Sequence, residues 1–118
     1  MEGLSTEKPR LDWIERLLSS PVFAAQRRVA GRRAPDDQLV RALLAALEAH
    51  RGRMARRLLV QVLGEPEFRC RGILTEVQRL LNVDGYQVIA VDDISGTVEL
   101  NRRLLNTQFQ LFSIHVDR

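Results

Sequence analysis

The sequence predicts a mainly helical fold with a small β-hairpin: a winged helix-turn-helix preceded by an N-terminal helical pair. Three observations carry this. From residue 66 to 82, Cys70, Ile73, Leu74, Val77, Leu80 and Leu81 fall on one face at helical spacing. Two β-like runs follow, 86–91 and 97–100, hinged on Asp92-Asp93-Ile94-Ser95-Gly96. Ahead of them two helices meet at a tight Gly64-Glu65-Pro66 turn. In that order the second helix takes the recognition position of a helix-turn-helix, and the hairpin is its wing.

Each element has its own reason. Residues 1–10 are polar and are expected to be a flexible N-terminus. Residues 11–35 form a helical extension: Leu11, Ile14, Leu17 and Leu18 keep helical spacing, and Ser20-Pro21 reads as an N-cap followed by proline in the first helical position. That second helix should end near Gly31, where positive φ is tolerated. Residues 36–110 are expected to be the winged-helix domain. Asp36-Asp37 places carboxylates at the positive end of the next helix, whose buried stripe is Leu39, Val40, Leu43, Leu44 and Leu47. It should stop near His50-Arg51-Gly52. A helix over 53–63 is expected to turn Met54, Leu58, Leu59, Val62 and Leu63 inward, and Gly64 to end it. The striped helix over 66–82 and the hairpin come next, then a short helix over 101–109. Residues 111–118 form a tail in which Phe112, Ile114 and Val116 alternate as in a strand.

Composition narrows the function. The chain has 118 residues, enough to bury a real core, and aromatics make up only 5%, so Leu, Val and Ala must build it. One cysteine excludes an internal disulfide and suits a reducing compartment. No apolar run reaches membrane-spanning length and none at the start reads as a signal peptide, so a cytoplasmic protein without membrane contact is expected. The net charge is +3, and it is unevenly spread. Residues 36–83 carry eight basic and six acidic side chains, whereas residues 84–118 carry three and five. The hairpin therefore lies in the acidic part.

Two clusters are candidates for contact with nucleic acid or a partner. Opposite the stripe of the 66–82 helix lie Arg71, Gly72, Thr75, Gln78, Arg79 and Asn82. Arg, Gln and Asn can pair with base edges in a bidentate way, and Thr can meet a thymine methyl; an ordinary solvated helix face has the same composition. Arg53, Arg56 and Arg57 group together on the preceding helix, which in such domains crosses the phosphate backbone. Pairing with Glu48 or Glu65 is the plain alternative. The hairpin tip argues against a wing that tracks DNA, because Asp92 and Asp93 would face phosphates. Arg27-Arg28 and Arg32-Arg33 flank Gly31 and could hold nucleic acid or an acidic partner, with dipole complementation at a helix end as the favoured, plainer reading.

Little here suggests chemistry. His50 and His115 lack companions at metal-ligand spacing, and the two Asp-Asp pairs suit a helix cap and a turn. Cys70 lies on the buried stripe, where a thiol is packing. No catalytic residue, metal or cofactor is expected, and the chain is not expected to be an enzyme.

Several stretches in order resemble a known family: Phe23-Ala-Ala-Gln-Arg-Arg-Val-Ala-Gly31, Pro35-Asp-Asp, Pro66-Glu-Phe-Arg, Leu80-Leu-Asn-Val-Asp-Gly-Tyr86 and Leu104-Leu-Asn-Thr-Gln-Phe109. Together they are similar to the C-terminal region of PglZ proteins of type 2 BREX bacteriophage-defence systems, over about residues 11–110. The resemblance implies that the family's alkaline-phosphatase-like catalytic domain lies upstream and is absent from this chain. No metal ligand carries over, since no stretch here matches a ligand motif. The implied role is a non-catalytic appendage that contacts other defence subunits, upstream domains of its parent chain, or duplex DNA. A free-standing winged-helix transcription regulator is the alternative, and it requires a dimer. The sequence leaves the oligomeric state open.

Overall fold

The computed structural model describes residues 12–111, and its first helix, α1, covers 12–18 with Trp13, Ile14 and Leu17 buried. The expectations for a flexible start at 1–10 and for strand-like alternation in the tail beyond Leu111 lie outside the described residues. Helix α2, Pro21–Ala30, starts as its sequence requires: the buried Ser20 hydroxyl accepts from the Phe23 N–H at 3.1 Å, and Pro21 occupies the first turn. Gly31, at φ 76°, closes it, and a 3₁₀ turn over Gly31–Arg33 leads out. Helix α3, Asp37–Ala49, is capped by Asp36, whose carboxylate accepts from the Leu39 N–H at 2.9 Å. It buries Val40, Leu43, Leu44, Ala46 and Leu47.

The segment after α3 departs from the sequence expectation. Residues 53–55 are not helical: Arg53–Ala55 form a strand, β1, and the helix that follows, α4, is only Arg56–Leu63. Gly52 sets this up. At φ 86° it turns the chain, its N–H donates to the Leu47 carbonyl, and its own carbonyl accepts from the Leu100 N–H at 2.7 Å. The later start also shifts the inward face. Leu59 and Val60 are buried, whereas Leu58 and Val62, expected inward, are 48% and 57% exposed. Leu58, Leu59, Val60, Val62 and Leu63 cover a broad arc of this eight-residue helix, and the fold buries the Leu59–Val60 side of it rather than the Leu58–Val62 side that periodicity points to.

Gly64 ends α4 in the left-handed conformation (φ 72°, ψ 22°). The expected 66–82 helix is divided into a 3₁₀ turn, Glu67–Arg69, and helix α5, Cys70–Leu81. The buried face of α5 is Cys70, Ile73, Leu74, Val77, Leu80 and Leu81, as its spacing required. Past a 3₁₀ turn at Val83–Gly85, strand β2 covers Ile89–Asp92 and β3 covers Thr97–Leu100, so the first hairpin strand starts three residues later than the β-like run. Helix α6, Arg102–Gln108, is capped by Asn101.

The sheet has three antiparallel strands rather than the two expected, in the order β1-β3-β2. Met54 stands opposite Val98 and Ile89 opposite Leu100, and all four side chains are buried. The architecture is therefore mainly helical, six α-helices among the described residues, with a small sheet set against them. One apolar cluster joins the elements from α1 to α6. Phe23 of α2 meets Phe109 beyond α6 at a centroid distance of 6.4 Å, and α2 lies along α5, where Gln26 donates to the Arg79 carbonyl at 3.4 Å. Arg102 pins α6 to α3 through Glu48 at 3.0 Å while stacking over the Trp13 ring at 3.9 Å.

Candidate functional site

The N-terminal half of α5, the start of α4 and the β2–β3 turn converge on one face. Between them runs an open groove of about 550 Å³, lined by Arg56, Arg57, Phe68, Cys70, Arg71 and Ser95 among others. A smaller depression of about 230 Å³ continues it along α5 past Arg56, Arg71, Thr75, Gln78 and Asp93. Five residues expected from sequence therefore come together here: Arg56, Arg57, Arg71, Thr75 and Gln78.

The other three lie elsewhere. Arg53 is exposed on the edge strand β1, opposite Glu99 in register. Arg79 sits toward the C-terminal end of α5 and pairs with Glu76 at 3.4 Å. Asn82 is half-buried and holds the chain: its Nδ2 donates to the Ile89 carbonyl at 3.1 Å and its Oδ1 accepts from the Ile89 N–H at 2.8 Å. Gln78 also donates to the Ile89 carbonyl, at 3.1 Å. These two amides fasten α5 to the first residue of β2, satisfying backbone groups that the start of a strand would otherwise leave open.

The hairpin carboxylates are used inside the molecule. Asp92 accepts from the Ile94 N–H at 3.0 Å and the Ser95 N–H at 3.4 Å, closing the turn with Gly96 at φ 71°. Those backbone N–H groups favour the charged form and hold the Asp92 carboxyl below the usual aspartate range. Asp93 pairs with Arg56 at 2.9 Å. Arg69 is likewise taken up by Glu65 at 3.3 Å. Arg57 and Arg71 have no ion-pair partner among the described residues, so they carry the positive field of the groove. Burial pushes the Cys70 thiol up, away from the thiolate a nucleophile needs. Among the described residues no three His, Cys, Asp or Glu side chains gather as a metal site would require.

Two residues of this face were missed from sequence. Phe68, in the 3₁₀ turn, is 86% exposed, and Ile94, at the hairpin tip, is 98% exposed. A signal for Phe68 was present: it stands out of phase with the stripe that begins at Cys70. Phe68 also borders a second open groove of about 690 Å³, lined by Arg32, Arg33, Pro35, Gly72 and Glu76 among others. Asp36 and Glu65 line the same groove.

No described helix is long and apolar enough to cross a membrane. Neither a curated protein nor a solved structure matches the chain. A family model does, over residues 8–110: the BREX system PglZ C-terminal domain.

Proposed function

The chain belongs to the BREX system PglZ C-terminal domain family, and from that premise we propose that it is a non-catalytic winged-helix binding module of a phage-defence assembly. It contacts other subunits or upstream domains first and duplex DNA second. The element order supports the winged-helix reading: α3, β1, α4, α5 and then the β2–β3 hairpin, with β1 added to the returning strand β3.

The observation that carries protein over DNA is the character of the α5 face. A recognition helix needs free amides and a basic wing. Here Gln78 and Asn82 are committed to Ile89, and the hairpin tip carries no basic side chain, only the turn-closing Asp92, the Arg56-paired Asp93 and a bare isoleucine. Solvent-exposed apolar side chains beside arginines that have no ion-pair partner among the described residues are the composition of a protein-contact patch. The phosphate-binding role expected for Arg53, Arg56 and Arg57 has less support, since Arg56 is neutralised by Asp93 and Arg53 stands apart on β1.

Titration of duplex DNA at low and at physiological salt tests this directly. The protein-contact reading expects weak binding with a shallow salt slope. Tight binding with a slope of several phosphates, reduced by Arg57→Ala and Arg71→Ala, favours DNA instead. The regulator alternative additionally requires a dimer, which light scattering decides.

A further inference from the structure

We infer that the groove between α5 and the hairpin turn is the docking site for an acidic peptide segment of a protein partner, one that sets carboxylates beside an apolar anchor. The inference deepens the protein-contact reading above and rests on it. Three features of the groove specify that occupant.

The first is charge. Arg57 and Arg71 line the groove without ion-pair partners among the described residues, beside Arg56, which is paired with Asp93. A guanidinium recognises a carboxylate through two parallel N–H donors, and does so best where the surroundings are partly apolar. The second is Phe68. A phenyl ring left 86% in water on the lip of a basic groove is a ready contact for a branched or aromatic side chain. Ile94, 98% exposed, adjoins Ser95 and Gly96 in the turn, and those two line the groove.

The third feature decides against nucleic acid. A single strand needs a basic track along its backbone together with stacking rings. This groove has one ring, and Glu67 in its lining repels a backbone that carries a phosphate at every step. A peptide places its negative charges at chosen residues and avoids that carboxylate.

The test pans a displayed random-peptide library on the purified chain, then measures the selected peptides by fluorescence anisotropy. Enriched peptides are expected to carry Asp or Glu flanking an apolar residue. Their affinity should fall about tenfold or more in Phe68→Ala and in Arg71→Glu, and stay unchanged in the control Arg103→Ala. Phe68 and Arg71 are exposed, so an unchanged melting temperature shows that the variants remain folded. Selected peptides without carboxylates, or peptides indifferent to both variants, overturn the groove assignment. Peptides bound at another surface do so while leaving the protein-contact reading intact. Binding of an oligothymidine strand that the same variants abolish also overturns it, and assigns the groove to nucleic acid.

Discussion

Asn82 shows how one side chain can be read in two ways. Its amide offers a donor and an acceptor, the set that reads an adenine, and the same set that holds a backbone N–H and carbonyl together. Sequence spacing places Asn82 off the apolar stripe, but only the folded chain brings Ile89 within 2.8 Å of it. Removing the amide leaves the buried Ile89 N–H unsatisfied, while the Ile89 carbonyl keeps only Gln78. Asn82→Ala is therefore expected to cost about 1–3 kcal/mol in urea unfolding. Thr75→Ala should stay within about 0.5 kcal/mol, because that hydroxyl only back-bonds to the Arg71 carbonyl on an exposed face. Equal losses for the two would mean that Asn82 is not a clamp.

Asp92 carries the pH dependence at this scale. Its folded-state carboxyl is held below the ordinary value by the Ile94 and Ser95 N–H groups. Its contribution is thus fully present above the unfolded aspartate range and lost as pH falls through the lower folded value. Asp92→Asn keeps an acceptor but cannot titrate. Acid unfolding of the wild type should consequently show a proton uptake that this variant lacks, with no difference between their pH slopes near neutrality.

Among the elements, α5 was the most legible from sequence and β1 the least. Six apolar residues at helical spacing over twelve positions admit one phase, and the buried face matches it residue for residue. Three residues such as Arg53-Met54-Ala55 admit any phase, so the strand emerges only through its pairing with β3. Gly52 is what permits that pairing. A Cβ there would stand 3.2 Å from the Leu100 carbonyl, on a backbone at φ 86°. Gly52→Ala is expected to destabilise by about 1–3 kcal/mol through that strain. Gly72→Ala should act in the opposite sense, gaining about 0.5–1 kcal/mol, since it lies inside α5 with nothing within 4 Å of its Cβ. Thermal unfolding of the pair gives both signs in one experiment. Leu74, buried on the central stripe, should cost about 2–5 kcal/mol as Leu74→Ala.

At the scale of the whole molecule, the candidate surface is a meeting of parts distant in sequence. Arg57, Phe68, Arg71 and Ser95 come from α4, a 3₁₀ turn, α5 and the hairpin. Sequence reasoning found the arginines because clusters of charge are visible along a chain. It missed Phe68, although its phase opposite the α5 stripe marks it as outward, and Ile94, whose exposure is decided by what the fold fails to cover. The same holds for the acidic tip, which reads as a repulsive wing until Asp92 is seen to close the turn and Asp93 to reach Arg56. What remains on the outside is an arginine groove with an apolar lip, built on a core that α1 and α2 complete.

The most direct measurement titrates purified components of the defence system into the isotope-labelled chain and follows every backbone amide by NMR. A protein-contact groove predicts saturable shifts concentrated at residues 56–57, 68–71 and 94–96, lost in Arg71→Glu. Shifts confined to other faces, or produced at those residues by duplex DNA alone, would contradict it.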